Sequence, residues 1–395
     1  MSSRNPAADP FTPGSGYPPP YLAGREAERE AITELAMPRL VAGRPTRPLL
    51  FTGIRGIGKT ALLTVARREA GAAELPVVRL EATKRSAMID ALVFQLEEVL
   101  TRFSSKLSTT RRALEDLAEF KVGVQVAGSG VEISTRRRST NEQASTERLF
   151  RALLTSAAAA AAAEAKPLVV VIDELQQGPP GLIGPLLTAV HEANQDEIPI
   201  GLIAAGLPNT EDWVAQHVTY GGRMFEHFDV ALLSRDLAAS AYTETLALVP
   251  DETVTPDALD ELVTLGQGLP YFIQEFGSAL WRTADDDPMS LHDVQRAATD
   301  GWDAIHGFYR QRWNEASSKE KDYLSALARL DAEPHRSAEI ADEMGKSVAA
   351  VATYRARLIR DKGLLVEPAR GQVQWSLLGF RDWLRAALED GEANR

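Results

Sequence analysis

The sequence predicts an α/β fold in which a parallel sheet lies between two layers of helices. Three observations predict it. Short apolar runs alternate with segments of helical periodicity up to residue 233, which is typical of repeated βαβ units. A glycine-rich loop follows the first of these runs and precedes a helix, as in phosphate-binding folds. After residue 234 the periodicity is mostly helical, which predicts that helical domains follow the sheet in the sequence.

The composition excludes several classes of site. The 395 residues include no cysteine, which excludes disulfides, thiolate zinc sites and a cysteine nucleophile. The six histidines are scattered without a helical i, i+4 pair, so we expect no histidine metal site. The formal net charge of −12 means that any contact with nucleic acid requires a local basic surface. Neither a signal peptide nor a long uncharged apolar run is present, so we expect a cytoplasmic protein with no membrane partner.

The elements of the predicted core follow one another along residues 21–233. Residues 1–20 are rich in proline, glycine and serine, which predicts a flexible arm. The apolar runs predict strands at residues 48–52, 76–80, 167–172, 198–205 and 228–232. The core also contains an insertion at about 104–146, where two alternating segments flank a glycine turn and predict a hairpin. This insertion is either a surface feature or a contact element for a partner subunit or DNA.

The phosphate loop is the most specific motif. Its pattern GxxxxGK[ST] is matched in full, and with the residue that follows it the candidate nucleotide contacts are Gly53, Ile54, Arg55, Gly56, Ile57, Gly58, Lys59, Thr60 and Ala61. The glycines let backbone N–H groups turn inward around phosphate oxygens at the positive end of the next helix. Lys59 would reach the β- and γ-phosphates of ATP, and Thr60 would ligate Mg²⁺. The alternative is a glycine-rich turn without a ligand.

Two acidic residues end the third predicted strand. Asp173 can hold Mg²⁺ together with Thr60, directly or through water, and Glu174 can polarise a water that attacks the γ-phosphate. A strand followed by two acids is unspecific by itself. Downstream of a phosphate loop it predicts the hydrolytic half of an ATP site.

These motifs resemble those of the AAA+ ATPases, in particular the origin-recognition-like, archaeal-type and signalling (STAND-related) group. The resemblance covers roughly residues 18–390 and rests on Gly24-Arg25-Glu26, the phosphate loop, Asp173-Glu174 and Gly268-Leu269-Pro270. It implies a P-loop NTPase core with a helical lid. It also implies that Leu22, Gly24 and Arg25 lie beside the adenine and that Pro270 starts a lid helix over the nucleotide.

The resemblance implies two further catalytic residues. Asn209 matches the polar sensor after the fourth strand, although an ordinary turn asparagine is the alternative. Arg223 precedes the fifth strand, where the family often carries an arginine finger for a neighbour's γ-phosphate, and a surface arginine is the alternative. A finger of this kind implies a nucleotide-dependent homo-oligomer. The lid helix starts with Pro270-Tyr271 instead of the family's sensor arginine, which favours slow or switch-like turnover.

The C-terminal residues predict three domain segments. Residues 234–300 are expected to form the lid, 301–315 a connecting helix, and 316–395 a winged helix-turn-helix of three helices and a two-stranded wing. In its third helix Val348, Val351 and Leu358 are expected to face the core. The candidate DNA contacts face solvent and are Thr353, Tyr354, Arg357 and Arg360. Winged helices also dock proteins, so duplex DNA and a protein partner both remain open.

The sequence therefore predicts an ATP-binding, Mg²⁺-dependent ATPase that acts as a nucleotide-driven assembly or conformational switch, with DNA as a candidate partner. The alternative function is a signalling or scaffold switch whose winged helix docks a protein and whose hydrolysis is slow or incidental. A metabolic enzyme is not expected, because no second catalytic constellation is present.

Overall fold

The fold was analysed in a computed structural model that describes residues 4–14, 16–82, 85–103, 140–218, 221–285, 287–331, 333–360 and 362–390. The hairpin predicted within 104–146 lies outside these residues. The last part of that segment, from Thr140, is described and is helical. No helix in the described ranges is long and apolar enough to cross a membrane.

A five-stranded parallel sheet forms the core, as the sequence predicted. Its strands are β1 Leu49–Thr52, β2 Val77–Glu81, β3 Leu168–Asp173, β4 Ile200–Gly206 and β5 Glu226–Asp229. Their spatial order is β2-β3-β4-β1-β5, and all pairs are parallel. The strand before the phosphate loop and the strand before the acidic pair are thus separated only by β4. Parallel strands end at the same edge of a sheet. The residues that follow β1, β3 and β4 therefore lie close together at that edge.

Helices cover both faces of this sheet. They are α1 Glu26–Glu30, a π-helical turn Ala31–Ala36, α2 Met37–Val41, α3 Lys59–Ala72, α4 Arg85–Phe103, α5 Thr140–Ala163, α6 Pro180–Gln195, α7 Thr210–His217 and α8 Gly221–Met224. Along β3, Val169 and Val171 join the hydrophobic cluster on one face, and Leu168, Val170 and Ile172 join the cluster on the other. Burial on both faces explains why the run is apolar throughout instead of alternating.

Four helices form the lid region. They are α9 Arg235–Leu246, α10 Pro256–Gly266, α11 Pro270–Thr283 and α12 Leu291–Asn314. The division between a lid ending at residue 300 and a connecting helix at 301–315 was wrong, because α12 is continuous across it. Its buried stripe runs unbroken from Val294 to Trp313. Gly301 lies inside this helix, where the missing Cβ makes room for the ring of Phe276 directly on the backbone.

The C-terminal domain, residues 318–389, contains four helices and a small antiparallel sheet. Its elements are α13 Ser318–Arg329, β6 His335–Arg336, α14 Ser337–Glu343, α15 Val348–Arg360, β7 Leu365–Val366, β8 Gln372–Trp375 and α16 Phe380–Glu389. The sheet order is β6-β8-β7. Three helices and two strands follow in the order predicted. The sequence analysis missed β6 and α16, whose Phe380 and Leu384 are completely buried.

The N-terminal arm is packed against the lid, so the prediction of a flexible arm over residues 1–20 was wrong for the part described. Phe11 is only 3% exposed. Its ring lies against the backbone of Gly277 in α11 and 6.2 Å from the ring of Tyr242. Proline and glycine predict that the arm lacks regular structure, which is correct for most of it, but they do not predict whether it makes tertiary contacts.

Polar contacts extend this packing along α11. The indole Nε1 of Trp281 donates to the Asn5 carbonyl at 3.0 Å, and Ser278 Oγ donates to Asp9 Oδ2 at 2.6 Å. The backbone N–H of Thr12 donates to Gln274 Oε1 at 2.8 Å. Gln274 and Ser278 are buried polar residues of α11, and the arm supplies a hydrogen-bond partner to each. The arm is therefore an integral part of the lid.

Phe11→Ala tests the docking of the arm. We expect the free energy of unfolding to fall by about 3 kcal/mol, because the ring leaves a cavity over Gly277. Tyr17→Ala is the control, since Tyr17 belongs to the same segment but is 70% exposed, and should change stability by less than about 0.5 kcal/mol. Urea denaturation measures both. Equal midpoints for the two variants would contradict the docked arm.

Candidate nucleotide-binding site

The phosphate loop, residues 53–60, joins β1 to α3. Gly56 and Gly58 have φ angles of +78° and +98°, a left-handed region that glycine occupies without steric cost. Gly58 directly precedes α3, so the loop amides converge at the positive end of a 14-residue helix. The backbone N–H of Tyr271, at the start of the lid helix α11, donates to the Gly56 carbonyl at 3.1 Å. Loop and lid are thus in direct contact.

Lys59 holds its ammonium within this loop. Its Nζ donates to the carbonyls of Gly53 at 2.9 Å and Ile54 at 2.8 Å. Burial lowers the pKa of Lys59 to about 8, while the nearby carboxylates of Glu174 and Asp173 act to raise it. A cation held in a poorly solvated loop attracts an anion more strongly than one in water. The group is therefore suited to phosphate oxygens.

Thr60 and Asp173 meet across the sheet edge. Thr60 Oγ1 donates to Asp173 Oδ2 at 2.8 Å, and the other carboxylate oxygen of Asp173 accepts from the N–H of Glu174 at 2.9 Å. Burial raises the pKa of Asp173, and the bond from Thr60 opposes this. A hydroxyl and a carboxylate are hard oxygen donors, and Mg²⁺ takes one or two such protein ligands beside water and phosphate. The residues present fit Mg²⁺.

Glu174 is held at both carboxylate oxygens. Its Oε1 accepts from Arg55 Nη1 at 3.2 Å, and its Oε2 accepts from Gln176 Nε2 at 2.7 Å. The backbone of Glu174 is left-handed, with φ +52°, a strained conformation for a non-glycine residue that is typical of functional sites. Gln177 Nε2 also donates to Oε2, at 3.4 Å, so the predicted base is at the site but is bonded to three donors.

Gln176 is a site residue that the sequence analysis missed. It is buried, and its Oε1 accepts from Thr210 Oγ1 at 2.9 Å and from the N–H of Leu207 at 3.2 Å. It therefore links the end of β4 to Glu174. The only sequence signal was a glutamine two residues after the acidic pair, which has no distinctive pattern.

The side chain of Arg55, a residue predicted to contact the nucleotide, is bonded to other parts of the protein. Besides Glu174, its guanidinium donates to the carbonyls of Gly363 at 3.1 Å and Lys362 at 3.2 Å. These carbonyls belong to the turn between α15 and β7. The C-terminal domain therefore reaches the phosphate loop, a contact that the sequence analysis did not anticipate.

Two family models match segments of the chain. A family model described as an AAA ATPase domain matches residues 21–200. Residues 21–200 are therefore similar to AAA ATPase domains. A second model, for a domain of unknown function (DUF8462), matches residues 306–384. A search of curated proteins finds no match.

Two solved structures from Aeropyrum pernix share the fold of the AAA ATPase domain and its C-terminal extension. The ORC1 protein in complex with DNA has a TM-score of 0.50 and 14% identity, and the match covers 95% of each chain. The ADP form of the ORC2 protein has the same score and identity over 96% of each chain. At such low identity the likeness shows the fold alone. It confirms the predicted AAA+ architecture of sheet, lid and C-terminal helical domain.

Asn209 and Arg223 are the two further catalytic residues that the AAA+ resemblance implies. Asn209 follows β4 and precedes α7, and its Oδ1 is buried without a hydrogen-bond partner in the described part of the chain. An unpaired buried acceptor is costly, which is consistent with a group that meets a ligand. Arg223 lies in α8, is exposed, and precedes β5 at the outer edge of the sheet. Both roles stay predictions.

Arg25 is buried in the segment before α1, and its position beside the adenine stays a prediction. It is only 5% exposed, and its guanidinium donates to the carbonyls of Gly24 at 2.8 Å, Ile57 at 3.2 Å and Ala231 at 2.8 Å. These bonds connect the segment before α1 to the phosphate loop, so Arg25 stabilises this part of the fold. Leu22 is half-buried against the core, and Pro270 is the first residue of α11.

The surface of α15 differs in two residues from the prediction. Thr353, Arg357 and Arg360 are exposed as expected. Tyr354 is half-buried, because it lies three residues after Val351 and four before Leu358 on the same buried stripe. Val348, expected in the core, is 47% exposed at the first position of the helix.

Arg25→Met tests the structural role of this guanidinium. Three backbone carbonyls lose a charged donor, so we expect the free energy of unfolding without nucleotide to fall by about 2–3 kcal/mol. The exposed Arg29 provides the control, Arg29→Met, which should change stability by less than about 0.5 kcal/mol. If Arg25 acted only on a ligand, the two variants would unfold alike in thermal melts without nucleotide.

Proposed function

We propose that this protein binds ATP with Mg²⁺, hydrolyses it, and uses the cycle to switch its conformation or assembly. The observation that carries the proposal is the meeting of Lys59, Thr60, Asp173 and Glu174 at one edge of the sheet, beside a loop at a helix N-terminus. The AAA ATPase domain match supports nucleotide chemistry at this place.

Each residue has a separate task in this proposal. The loop amides and Lys59 bind the β- and γ-phosphates and balance their charge. Thr60 and Asp173 hold Mg²⁺, which neutralises charge on the phosphate oxygens. Glu174 accepts the proton of the attacking water, which requires that one of its oxygens be released from its present donors. Asn209 would place its amide near the γ-phosphate.

The proposed assembly depends on Arg223. Its exposed position before the edge strand β5 would allow the guanidinium to reach a neighbouring subunit and to stabilise charge on that subunit's γ-phosphate. ATP would then promote a homo-oligomer whose subunits depend on one another for turnover.

The proposed partner is duplex DNA, bound by the C-terminal domain as a winged helix-turn-helix. The exposed side chains of Thr353, Arg357 and Arg360 on α15 support this, because a helix with cationic side chains can contact phosphates in a groove. The AAA+ structure of ORC1 is a complex with DNA. Docking of a protein is the second candidate, and the exposed Val348 at the start of α15 favours it.

Lys59→Ala and Glu174→Gln separate binding from chemistry. Lys59→Ala removes the phosphate-binding charge, so ATP affinity should fall at least about tenfold and turnover should be lost. Glu174→Gln keeps the shape but removes the base, so ATP should bind normally and turn over at least about tenfold more slowly. Fluorescent-nucleotide titration and phosphate release measure the two effects.

The control for charge is Glu98→Gln, an exposed residue of α4, which should behave as the wild type. Unchanged affinity and turnover in a folded Lys59→Ala variant would contradict the phosphate-loop assignment. Unchanged turnover in Glu174→Gln alone would show that the base lies elsewhere.

Arg357→Ala combined with Arg360→Ala tests the DNA contact. The affinity for a short duplex should fall, and the slope of log affinity against log salt should decrease by up to about two. Lys319→Ala in α13 is an exposed control within the same domain and should leave the slope unchanged. Fluorescence anisotropy over a range of salt concentrations measures this slope. If the wild-type protein binds no duplex at low salt with ATP present, the DNA contact is excluded and docking of a protein is the remaining candidate.

A further inference from the structure

We propose that Arg55 is a positioning residue that restrains Glu174, and that the C-terminal domain controls this restraint through the turn at Lys362 and Gly363. The proposal rests on the proposed ATPase function and adds its regulation. In this proposal one arginine of the phosphate loop connects the catalytic base to the C-terminal domain. Arg55 and Lys362 are 307 residues apart in the sequence.

The contacts of Arg55 use three different nitrogens for three different acceptors. Nη1 donates to Glu174, Nε to the Gly363 carbonyl and Nη2 to the Lys362 carbonyl, all between 3.1 and 3.2 Å. The side chains of Arg55 and Glu174 are only 14% and 19% exposed. A planar guanidinium held by two carbonyls on one side has little freedom to leave the carboxylate on the other.

The turn that holds Arg55 is fixed within the C-terminal domain. The N–H of Leu364 donates to the Leu358 carbonyl at 3.0 Å, and the N–H of Ser376 donates to the Leu364 carbonyl at 3.0 Å. Ser376 Oγ also donates to the Gly363 carbonyl. The two carbonyls that bind Arg55 therefore follow the C-terminal domain if that domain moves relative to the sheet.

Two of the three donors on Glu174, Gln176 and Arg55, differ in what anchors them. Gln176 is anchored inside the core by Thr210 and Leu207, so it stays with the sheet. Arg55 is anchored by the C-terminal domain. Release of Arg55 from the turn would restore its rotational freedom and leave one Glu174 oxygen available to water.

Gly363→Ala tests this coupling without changing the ATP site itself. A Cβ at residue 363 would lie 2.6 Å from Arg55 Nη2, 3.0 Å from Arg55 Nε and 2.9 Å from Leu207 Cδ1. We expect the turn to separate from Arg55 and kcat for ATP to rise about tenfold, as removal of a restraint on a general base allows. KM should change less than about twofold, because the phosphate contacts are unaffected.

Gly345→Ala is a matched control. Gly345 is in the same domain and has φ +61°, close to the +57° of Gly363, but no atom lies within 4 Å of an added Cβ. Both variants carry the same backbone strain, and only Gly363→Ala disturbs Arg55. Arg55→Ala is the second variant. If both changes act on one contact, Gly363→Ala should add nothing to kcat when Arg55→Ala is already present.

A second readout does not depend on activity. Because the chain has no cysteine, Arg68→Cys and Asp342→Cys place spin labels on exposed positions of α3 and α14 and nowhere else. We expect a narrow distance distribution in the otherwise unchanged protein and in Gly345→Ala. The distribution should broaden or shift in Gly363→Ala and in Arg55→Ala.

The possible failures are distinguishable. If the wild type turns over ATP and neither Gly363→Ala nor Arg55→Ala accelerates that turnover, the positioning role is overturned and the ATPase function stays intact. If the label distance distribution is the same in the otherwise unchanged protein, Gly345→Ala, Gly363→Ala and Arg55→Ala, the coupling to the C-terminal domain is overturned. No turnover by any of these proteins, with Lys59→Ala binding ATP as well as the wild type, would contradict the proposed function itself.

Discussion

The site depends on the parallel pairing of β1, β4 and β3, which places three separate loops at one edge of the sheet. The hydrogen bond from Thr60 to Asp173 joins residues 113 apart in the sequence, and it exists because β4 pairs with both neighbouring strands in register. Slipping one strand by a single residue would reverse its two faces and exchange their buried side chains. The apolar clusters on both faces therefore fix the position of the polar edge.

The motifs that the sequence revealed are those whose chemistry is local. The phosphate loop combines its glycines, Lys59 and Thr60 in eight consecutive residues, and the acids come directly after an apolar strand. Backbone geometry and residue type are then sufficient to predict the arrangement. The same reasoning predicted the parallel sheet, since alternation of strand and helix permits few other topologies.

The features that the sequence did not reveal depend on contacts between distant segments. Gln176 matters because Thr210 approaches it, and Arg55 matters because Gly363 does. Neither residue type is unusual for its position. Phe11 is similar, since its burial is explained by Gly277 and Tyr242, which are distant in the sequence. Helix periodicity also fails at helix ends, where Val348 starts a helix outside the core although its spacing matches the buried stripe.

The lid helix α11 has a mechanical consequence of its own. Its first turn is bonded to the phosphate loop through Tyr271 and Gly56, and its last turn is bonded to the arm through Trp281 and Asn5. Fourteen helical residues span about 20 Å, and a helix of this length moves as a stiff rod. A small rotation at the phosphate end is therefore amplified at the far end, where it would carry the N-terminal arm with it.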